Sequence, residues 1–373
     1  MADIDPTTDL RFMALALALG RRGLGRAWPN PAVGAVVVRD DRAGAVVVGR
    51  GWTQPGGRPH AETEALGRAG KAARGATLYV SLEPCSHHGK TPPCADAIIA
   101  AGVACVVSAL EDPNPDVAGT GHQRLRAHGI AVEVGLGAAE ARRAHAGHIR
   151  RARDGRPQVI LKLAVSADGK AGLFGRRPAA ITGEAARDKV HRMRATSDAV
   201  LTGIGTALAD DPLLTCRLPG MAGRSPVRVV LDSKLRLALD SRLVATARET
   251  PLWVVTGASA AREREQALQA RGVEVLRVTS SGDRPDLAPA LKLLAERGIT
   301  RLLLEAGPIL AAAFLGADLV DEAALFRSPK HVGAEGIDAL EGLPLDALTR
   351  SPQLERIGAE AAGADAIEFF VRR

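Results

Sequence analysis

His60-Ala61-Glu62, Pro84-Cys85 and Pro93-Cys94 are the residues of this chain whose types and spacing are best suited to chemistry. One imidazole and two thiolates form a soft-to-borderline ligand set, which suits tetrahedral zinc with a fourth position left open. Zinc lowers the pKa of a bound water toward neutrality and so makes hydroxide available for attack. A carboxylate nearby can carry the proton from that water to a leaving nitrogen, and Glu62 has the chemistry for this shuttle. On an ideal helix, residues two apart point roughly 200° from each other. His60 and Glu62 can therefore meet at one metal only if His60 stands at a helix start, and Pro59 fits such a start. Cys94 follows Pro92-Pro93 and is expected at another helix N-terminus, where the dipole favours a thiolate. The competing reading is a structural zinc site closed by His87 or His88, which would leave Glu62 without a purpose.

The elements that must position these groups form two α/β series. A helix over 8–20, with Thr7 or Thr8 as its cap, leads through Trp28-Pro29-Asn30-Pro31 into β-like runs at Ala32–Val38 and Ala45–Gly49. A helix from His60, a strand Thr77–Ser81, the loop Glu83–Pro93, a helix Cys94–Ala101 and a strand Val103–Ala109 follow. Then come a helix Gly121–His128, a strand Ala131–Val134 and an arginine-studded helix to Arg153. Asp154-Gly155-Arg156-Pro157 breaks that helix and marks a domain junction, giving domains 1–153 and 154–373. Beyond it, strands are expected at Val159–Val165, Ala199–Thr202, Val227–Leu231, Leu252–Val255, Val273–Val278, Arg301–Leu304 and Glu322–Phe326. Ile367–Val371 is read as the strand that closes an edge.

Composition narrows the function classes. The 373 residues suffice for two domains with real cores, and 46% apolar with 24% charged residues is ordinary for a globular chain. Aromatics make up only 3%, with Tyr79 the single tyrosine, which argues against stacking of nucleic-acid bases. The net charge of +7 is either a solvated surface or a preference for anionic substrates, phosphates first among them. Four cysteines in so long a chain are no disulfide framework, and Cys105, in an apolar run, reads as a buried inert thiol. The apolar stretch Phe12–Leu19 is too short to span a bilayer, so no membrane role and a cytoplasmic location are expected.

The His-x-Glu … Pro-Cys pattern is that of zinc nucleobase deaminases. Base-editing and tRNA deaminases separate their cysteines by two residues, whereas eight lie between Cys85 and Cys94. Leu82 to Cys94 closely resembles the deaminase domain of the bifunctional riboflavin-biosynthesis enzymes. Pro29-Asn30-Pro31-x-Val33-Gly34 and Asp112-Pro113-Asn114-Pro115 with Val117-Ala118-Gly119 resemble it too. The resemblance implies that His60, Cys85 and Cys94 hold Zn2+ and that Glu62 is the catalytic proton shuttle. It places Asn30 on the pyrimidine and Lys90 and Thr91 near the substrate phosphate, where a cation and a hydroxyl beside a helix start make a sensible cradle. As residues alone, Asn30 can equally be a turn residue and Lys90-Thr91 a solvated loop. Two departures stand out. Glu64 replaces a second histidine of the family's His-Ala-Glu-Val-His run, and Thr53 replaces an upstream, substrate-side histidine.

The second half carries Thr202-Gly203-Ile204-Gly205-Thr206, Asp210-Asp211-Pro212 and Leu214-Thr215-x-Arg217. Leu208 occupies the place of a third glycine, so a Rossmann fingerprint is not supported. These runs resemble the reductase domain of the same family, as do Lys162-Leu163, Ser166-x-Asp168-Gly169, Leu231-Asp232-Ser233 and Glu305-Ala306-Gly307-Pro308. The implied fold is α/β throughout, a cytidine-deaminase-like three-layer domain followed by a dihydrofolate-reductase-like one. The resemblance puts Ala164, Thr206, Asp210, Ser233 and Gly307 on NADPH, and Arg194, Leu214, Arg217 and Glu305 on the substrate. Arg194 and Arg217 can clamp a ribose phosphate, and the helix start after Gly307 offers free N–H groups to phosphate. Where the family has Ser-x-Trp-Ile-Thr, this chain reads Pro178-Ala179-Ala180-Ile181-Thr182, without the serine or the aromatic wall.

The resemblance implies successive reactions on one phosphorylated pyrimidine. Hydrolytic deamination of 2,5-diamino-6-ribosylamino-4(3H)-pyrimidinone 5′-phosphate comes first, and NADPH-dependent reduction of its ribosyl group to ribityl follows. A homo-oligomer that binds no nucleic acid is expected. The alternatives are a deaminase with a degenerate reductase domain, a nucleic-acid base deaminase and a purely structural zinc protein.

Overall fold

Pro6 opens the first helix, a position proline tolerates because the N–H it lacks has no intrahelical partner there. Thr7 and Thr8 accordingly lie inside the first turn of α1 (Pro6–Gly20) and do not precede it as caps. The computed structural model describes residues 6–41, 44–89, 91–115, 117–174, 180–281 and 284–373. Chain contacts divide it into two units, Met1–Gly155 and Arg156–Arg373. After α1 the first unit contains β1 (Gly34–Asp41), β2 (Gly44–Trp52), α2 (Ala61–Ala69), β3 (Thr77–Val80) and α3 (Cys94–Ala101). It continues with β4 (Cys105–Ser108), α4 (Thr120–Ala127), β5 (Ala131–Val134), α5 (Ala138–Ala144) and α6 (Ala146–Asp154).

The five strands make one sheet in the order β2-β1-β3-β4-β5, with β2-β1 and β1-β3 antiparallel and the remaining pairs parallel. Its layering follows from three glycines. Gly34 pairs with Trp52 and Ala35 with Gly51, so Gly34 and Gly51 face opposite sides of the sheet. A Cβ on Gly34 would lie 1.9 Å from the Ala16 carbonyl oxygen of α1. On the other face a Cβ on Gly51 would lie 2.4 Å from Ala61 O, and one on Gly49 2.2 Å from Ala65 O, both on α2. Only glycine lets these backbones touch. The start of α2, which carries His60 and Glu62, is thereby seated directly on β2. Leu78, Val80, Ile98 and Val106 fill the core between the layers. Cys105, expected to be buried, is half-buried, because β5 beside it is a largely exposed edge strand. Burial still pushes its thiol up to about 11, so it stays protonated.

The second unit opens with β6 (Gln158–Val165), β7 (Lys170–Leu173), α7 (Glu184–Ala195), β8 (Ala199–Gly203), α8 (Ile204–Asp210) and β9 (Val227–Leu231). Next come α9 (Arg242–Ala245), β10 (Leu252–Gly257), α10 (Arg262–Gln269), β11 (Glu274–Val278), β12 (Ser280–Ser281), β13 (Arg284–Pro285) and α11 (Leu287–Glu296). It closes with β14 (Arg301–Glu305), α12 (Pro308–Gly316), β15 (Glu322–Arg327), β16 (Gly336–Asp338), α13 (Asp346–Thr349), β17 (Leu354–Ala362) and β18 (Asp365–Arg372). Nine strands form a sheet ordered β11-β10-β9-β8-β14-β6-β15-β18-β17. From β11 to β15 every pairing is parallel, while β18 and β17 run antiparallel. The strand ending the chain is therefore interior. The expected edge at Ile367–Val371 is taken instead by β17, whose Glu- and Ala-rich sequence carries no strand signature. Its conformation is set by pairing with β18. The short β7–β16 pair was likewise not foreseen.

β8 to β11 step outward in sequence order, then β14 returns to lie between β8 and β6. Ligands of open α/β sheets bind outside the carboxyl ends of strands where the order reverses. Here those ends carry Gly203, Ser233, Glu305 and the stretch after Lys162.

Candidate active sites

His60 is the N-cap of α2, with extended backbone (φ −72°, ψ 161°), and Glu62 is the second helical residue. The half-turn conflict between residues two apart is resolved as the sequence requires, by a histidine not yet in the helix. Cys94 opens α3 behind Pro93, and its N–H donates to Cys85 Sγ at 3.2 Å. His60 Nδ1 lies 3.7 Å from Cys85 Sγ and 3.3 Å from Cys94 Sγ, and the three ligand atoms all lie within 4.8 Å of one another. Nitrogen and sulfur on a tetrahedral zinc stand about 3.6 Å apart, so these donors are spaced for the ion. Among the described residues neither His87 nor His88 joins the cluster, and three side chains leave one position open.

Glu62 is only 3% exposed. Burial, reinforced by charge on Cys85, pushes its carboxyl up to about 7, where it can both accept and release a proton near neutrality. The hydrogen bond to Cys94 brings the Cys85 thiol down to about 4, while that same bond and burial push Cys94 up. Asn30 Nδ2 stands 3.1 Å from His60 Nε2 and donates to Gly57 O at 2.9 Å, so the expected pyrimidine contact sits on the rim of the cluster. Thr91 is exposed at the mouth and accepts a hydrogen bond from Arg58 Nη1. Lys90 lies outside the described residues.

The loop that carries Cys85 is fastened from behind. Glu83, buried, accepts from the backbone N–H groups of Gly121 (2.8 Å), His122 (3.2 Å), Asp112 (2.9 Å) and Gly119 (2.9 Å). Two of these donors belong to the first turn of α4, so a carboxylate from another segment caps that helix. Gly121 lies so close that a Cβ would come 2.0 Å from Pro84 O, and Ser86 Oγ meets Thr120 Oγ1 at 2.6 Å. Sequence reasoning missed Glu83, since its partners lie 29 to 39 residues away on bare backbone.

Both deaminase departures acquire a place. Glu64, half-buried with its Cβ beside Gly51 of β2, takes a hydrogen bond from Arg68 Nη2 at 2.8 Å and is not a member of the His60-Cys85-Cys94 cluster. Thr53 is buried, and its hydroxyl accepts from Val33 N at 3.0 Å, so it serves the backbone that leads to Asn30.

In the second unit Glu305 ends β14 in register with Lys162 of β6, so the two side chains stand side by side. Arg194 of α7 grips Glu305 with both ends of its fork, Nε to Oε1 at 2.6 Å and Nη2 to Oε2 at 2.8 Å, and gives Nη1 to Thr215 O at 3.1 Å. That pairing holds the Glu305 carboxyl below the usual range against the opposing pull of burial. Arg194 is therefore occupied by protein partners, while the exposed Arg217 shows no side-chain hydrogen bond among the described residues. Leu214, buried with φ 54°, bends the loop between them in the left-handed region, which a branched apolar residue adopts only under constraint. Lys162, which sequence reasoning did not single out as a site residue, has its ammonium 5.5 Å from the centre of the Phe326 ring. Burial lowers its pKa against the pull of Glu305. Asp210 is raised by desolvation, with Lys162 its opposing charge.

Thr206 and Gly307 converge, since a Cβ on Gly307 would lie 3.0 Å from Thr206 Oγ1, and Gly307 caps α12. Glycine leaves this cradle open for a phosphate at the helix start. Ala164 lies half-buried on β6 in register with Phe326, and Ser233 follows β9, its carbonyl accepting from Thr256 Oγ1 at 3.2 Å. Of the departing Pro178–Thr182 run, residues 178 and 179 lie outside the described residues. Ala180 is exposed and Ile181 buried.

The deaminase zinc-binding region of cytidine and deoxycytidylate deaminases matches residues 6–110, and the RibD C-terminal domain matches residues 157–367. The chain is 42% identical to the riboflavin biosynthesis protein RibD of Escherichia coli K12 over 360 residues, covering 93% of this chain and 95% of the relative. Among solved structures, Acinetobacter baumannii RibD superposes with a TM-score of 0.87 at 34% identity, covering 99% of this chain and 100% of that one. The Thermotoga maritima diaminohydroxyphosphoribosylaminopyrimidine deaminase/5-amino-6-(5-phosphoribosylamino)uracil reductase gives 0.84 at 36% identity, with 99% of both chains covered.

Proposed function

Because this chain belongs to the RibD family of bifunctional riboflavin-biosynthesis enzymes, we propose that residues 1–153 deaminate the diaminopyrimidine ribosyl phosphate and residues 154–373 then reduce its ribosyl group. The protein is a deaminase and reductase in one chain, with zinc serving the first activity and NADPH the second. The observation that carries the assignment of residues is the convergence of His60, Cys85 and Cys94 beside the buried Glu62.

Zinc held by His60, Cys85 and Cys94 supplies the activation of water that hydrolysis needs. Glu62 takes the proton that water gives up and hands it to the departing amine, a double role its near-neutral pKa suits. Asn30 orients the pyrimidine, while Thr91 and Lys90 receive the phosphate. In the second unit NADPH supplies the hydride. Thr206, Gly307, Ser233, Asp210 and Ala164 line the cofactor, and Leu214 bounds the substrate. Arg217 takes the substrate phosphate. Glu305 and Arg194 act as a locked pair that presents Lys162, whose burial disposes it to release a proton to the reduced sugar.

No helix among the described residues is long and apolar enough to cross a membrane. All four cysteines are free, which accords with residence in the reducing cytoplasm. A homo-oligomer is the assembly we expect, to be checked by light scattering of the purified chain.

The functional reading is tested by incubating the protein with the diaminopyrimidine phosphate, with and without NADPH, while following ammonia and NADPH together. Ammonia without NADPH, and oxidation only after deamination, is the expected pattern. Ammonia with no oxidation, even on the deaminated intermediate, would leave only a deaminase.

A further inference from the structure

Arg58 is the residue at the deaminase site that the catalytic scheme leaves unused. It ends the turn Pro55–Gly57 with extended backbone (φ −148°, ψ 146°) and stands two residues before the His60 imidazole. A hydrogen bond from Gln54 N to Pro59 O (3.0 Å) closes the base of this turn, and Asn30 Nδ2 holds Gly57 O from the other side. The guanidinium is thus launched from a braced segment. It crosses to the loop after Cys85, where Nη1 donates to Thr91 Oγ1 and Nη2 stands beside Gly89, 3.3 Å from where a Cβ there would lie. The side chain is half-buried, and among the described residues no carboxylate lies within ion-pair distance of it.

This arrangement has the features of an anion clamp. A half-buried guanidinium without a carboxylate partner retains N–H donors for an incoming ligand, and its planar fork matches phosphate oxygens. Because Thr91 Oγ1 accepts from Arg58, its own O–H is free to donate outward. Charge and hydroxyl are therefore presented together at the mouth of the zinc cluster.

We propose that Arg58, paired with Thr91, binds the phosphate monoester of the deaminase substrate and so selects phosphorylated over unphosphorylated pyrimidine ribosides. The proposal rests on the deaminase reading given above. A residue that only braced the loop would help every substrate equally, whereas a phosphate ligand helps only the phosphorylated one.

The test is ammonia release by wild type and Arg58→Gln with two substrates, the diaminopyrimidine riboside 5′-phosphate and the same riboside without phosphate. Glutamine keeps a polar side chain on the same stem but removes the charge and the reach of Nη1 to Thr91. The loss of one charge-assisted contact predicts a rise in KM for the phosphate ester of about 10- to 100-fold, with kcat little changed. For the unphosphorylated riboside kcat/KM should stay within about twofold. In Thr91→Ala protein the effect of Arg58→Gln should shrink, because the two act as one clamp. An equal loss on both substrates, or no loss on either, overturns the proposal while leaving the deaminase reading intact. Wild-type protein releasing no ammonia from the phosphate ester would sink both.

Discussion

Replacing Glu83 by glutamine should disable the deaminase without touching zinc, water or substrate directly. The carboxylate accepts four backbone N–H bonds, two on each oxygen: Gly121 and His122 on Oε1, Asp112 and Gly119 on Oε2. Glutamine offers one carbonyl oxygen, and its amide turns two N–H donors toward two backbone N–H groups whichever way it is placed. Two buried donors then lose their acceptor at about 1–3 kcal/mol each, so the first unit should lose roughly 4 kcal/mol. The structure also says where the damage goes. Pro84 and Cys85 follow Glu83 directly, so releasing the 112–122 segment frees the loop that supplies one of the three metal ligands. Zinc retention against a chromogenic chelator should fall, and ammonia release should fall with it. NADPH oxidation on the deaminated intermediate gives an internal control in the same chain and should be unchanged. Glu83→Gln protein that keeps its zinc and its ammonia release within twofold of wild type would refute the argument.

Three further outcomes follow from features already described. Glu62→Gln should abolish ammonia release while zinc content and the reductase activity persist; joint loss of both activities would count against separate sites. Gly51→Ala places a Cβ 2.4 Å from Ala61 O, so the start of α2 must shift. A displacement near 1 Å costs about 100-fold in rate, so deamination should drop by that order in steady-state assays. Burial holds the His145 imidazole down to about 4, whereas the unfolded chain titrates near 6.5. The unfolded state thus binds the extra proton between those values, and stability present above about pH 6.5 is lost as pH falls toward 4. The loss should reach roughly 2 kcal/mol by pH 5. In urea titrations at pH 8 and pH 5, wild type should lose roughly 2 kcal/mol more than His145→Gln between the two pH values, a comparison in which groups common to both proteins, such as Glu62, cancel.

How much was legible in the sequence depended on whether chemistry or packing dictated the residue. His60, Glu62, Cys85 and Cys94 could be read because a metal demands particular ligand types, and because Pro59 and Pro93 announce the helix starts that bring them together. Most strands could be read because parallel strands buried on both faces are continuous runs of Val, Leu and Ile. The residues that escaped act through partners with no sequence mark. Glu83 binds main-chain amides, Arg58 reaches a hydroxyl 33 residues away, and Lys162 is defined by register with Glu305 across β14. Arg194, expected on phosphate, is occupied by Glu305 in a pairing only the fold reveals. The last edge was misplaced because Leu354–Ala362 consists largely of residues with no strand preference, and only the neighbouring β18 makes it one.

The strand order of the second unit also bears on how the chain is made. β6 is the first strand of that unit to be synthesised, yet its sheet neighbours are β14 and β15, which begin at Arg301 and Glu322. Val159, Ile160, Leu161 and Leu163, all buried in the finished protein, thus have no ladder to join until well over a hundred further residues have been translated. At ribosomal speeds of roughly 5–20 residues per second this leaves an apolar strand waiting for about 7 to 27 seconds. Over that interval the deaminase half, whose strands pair among residues 34 to 134, has every partner it needs. The nascent reductase half is where chaperone dependence and aggregation during overexpression should concentrate.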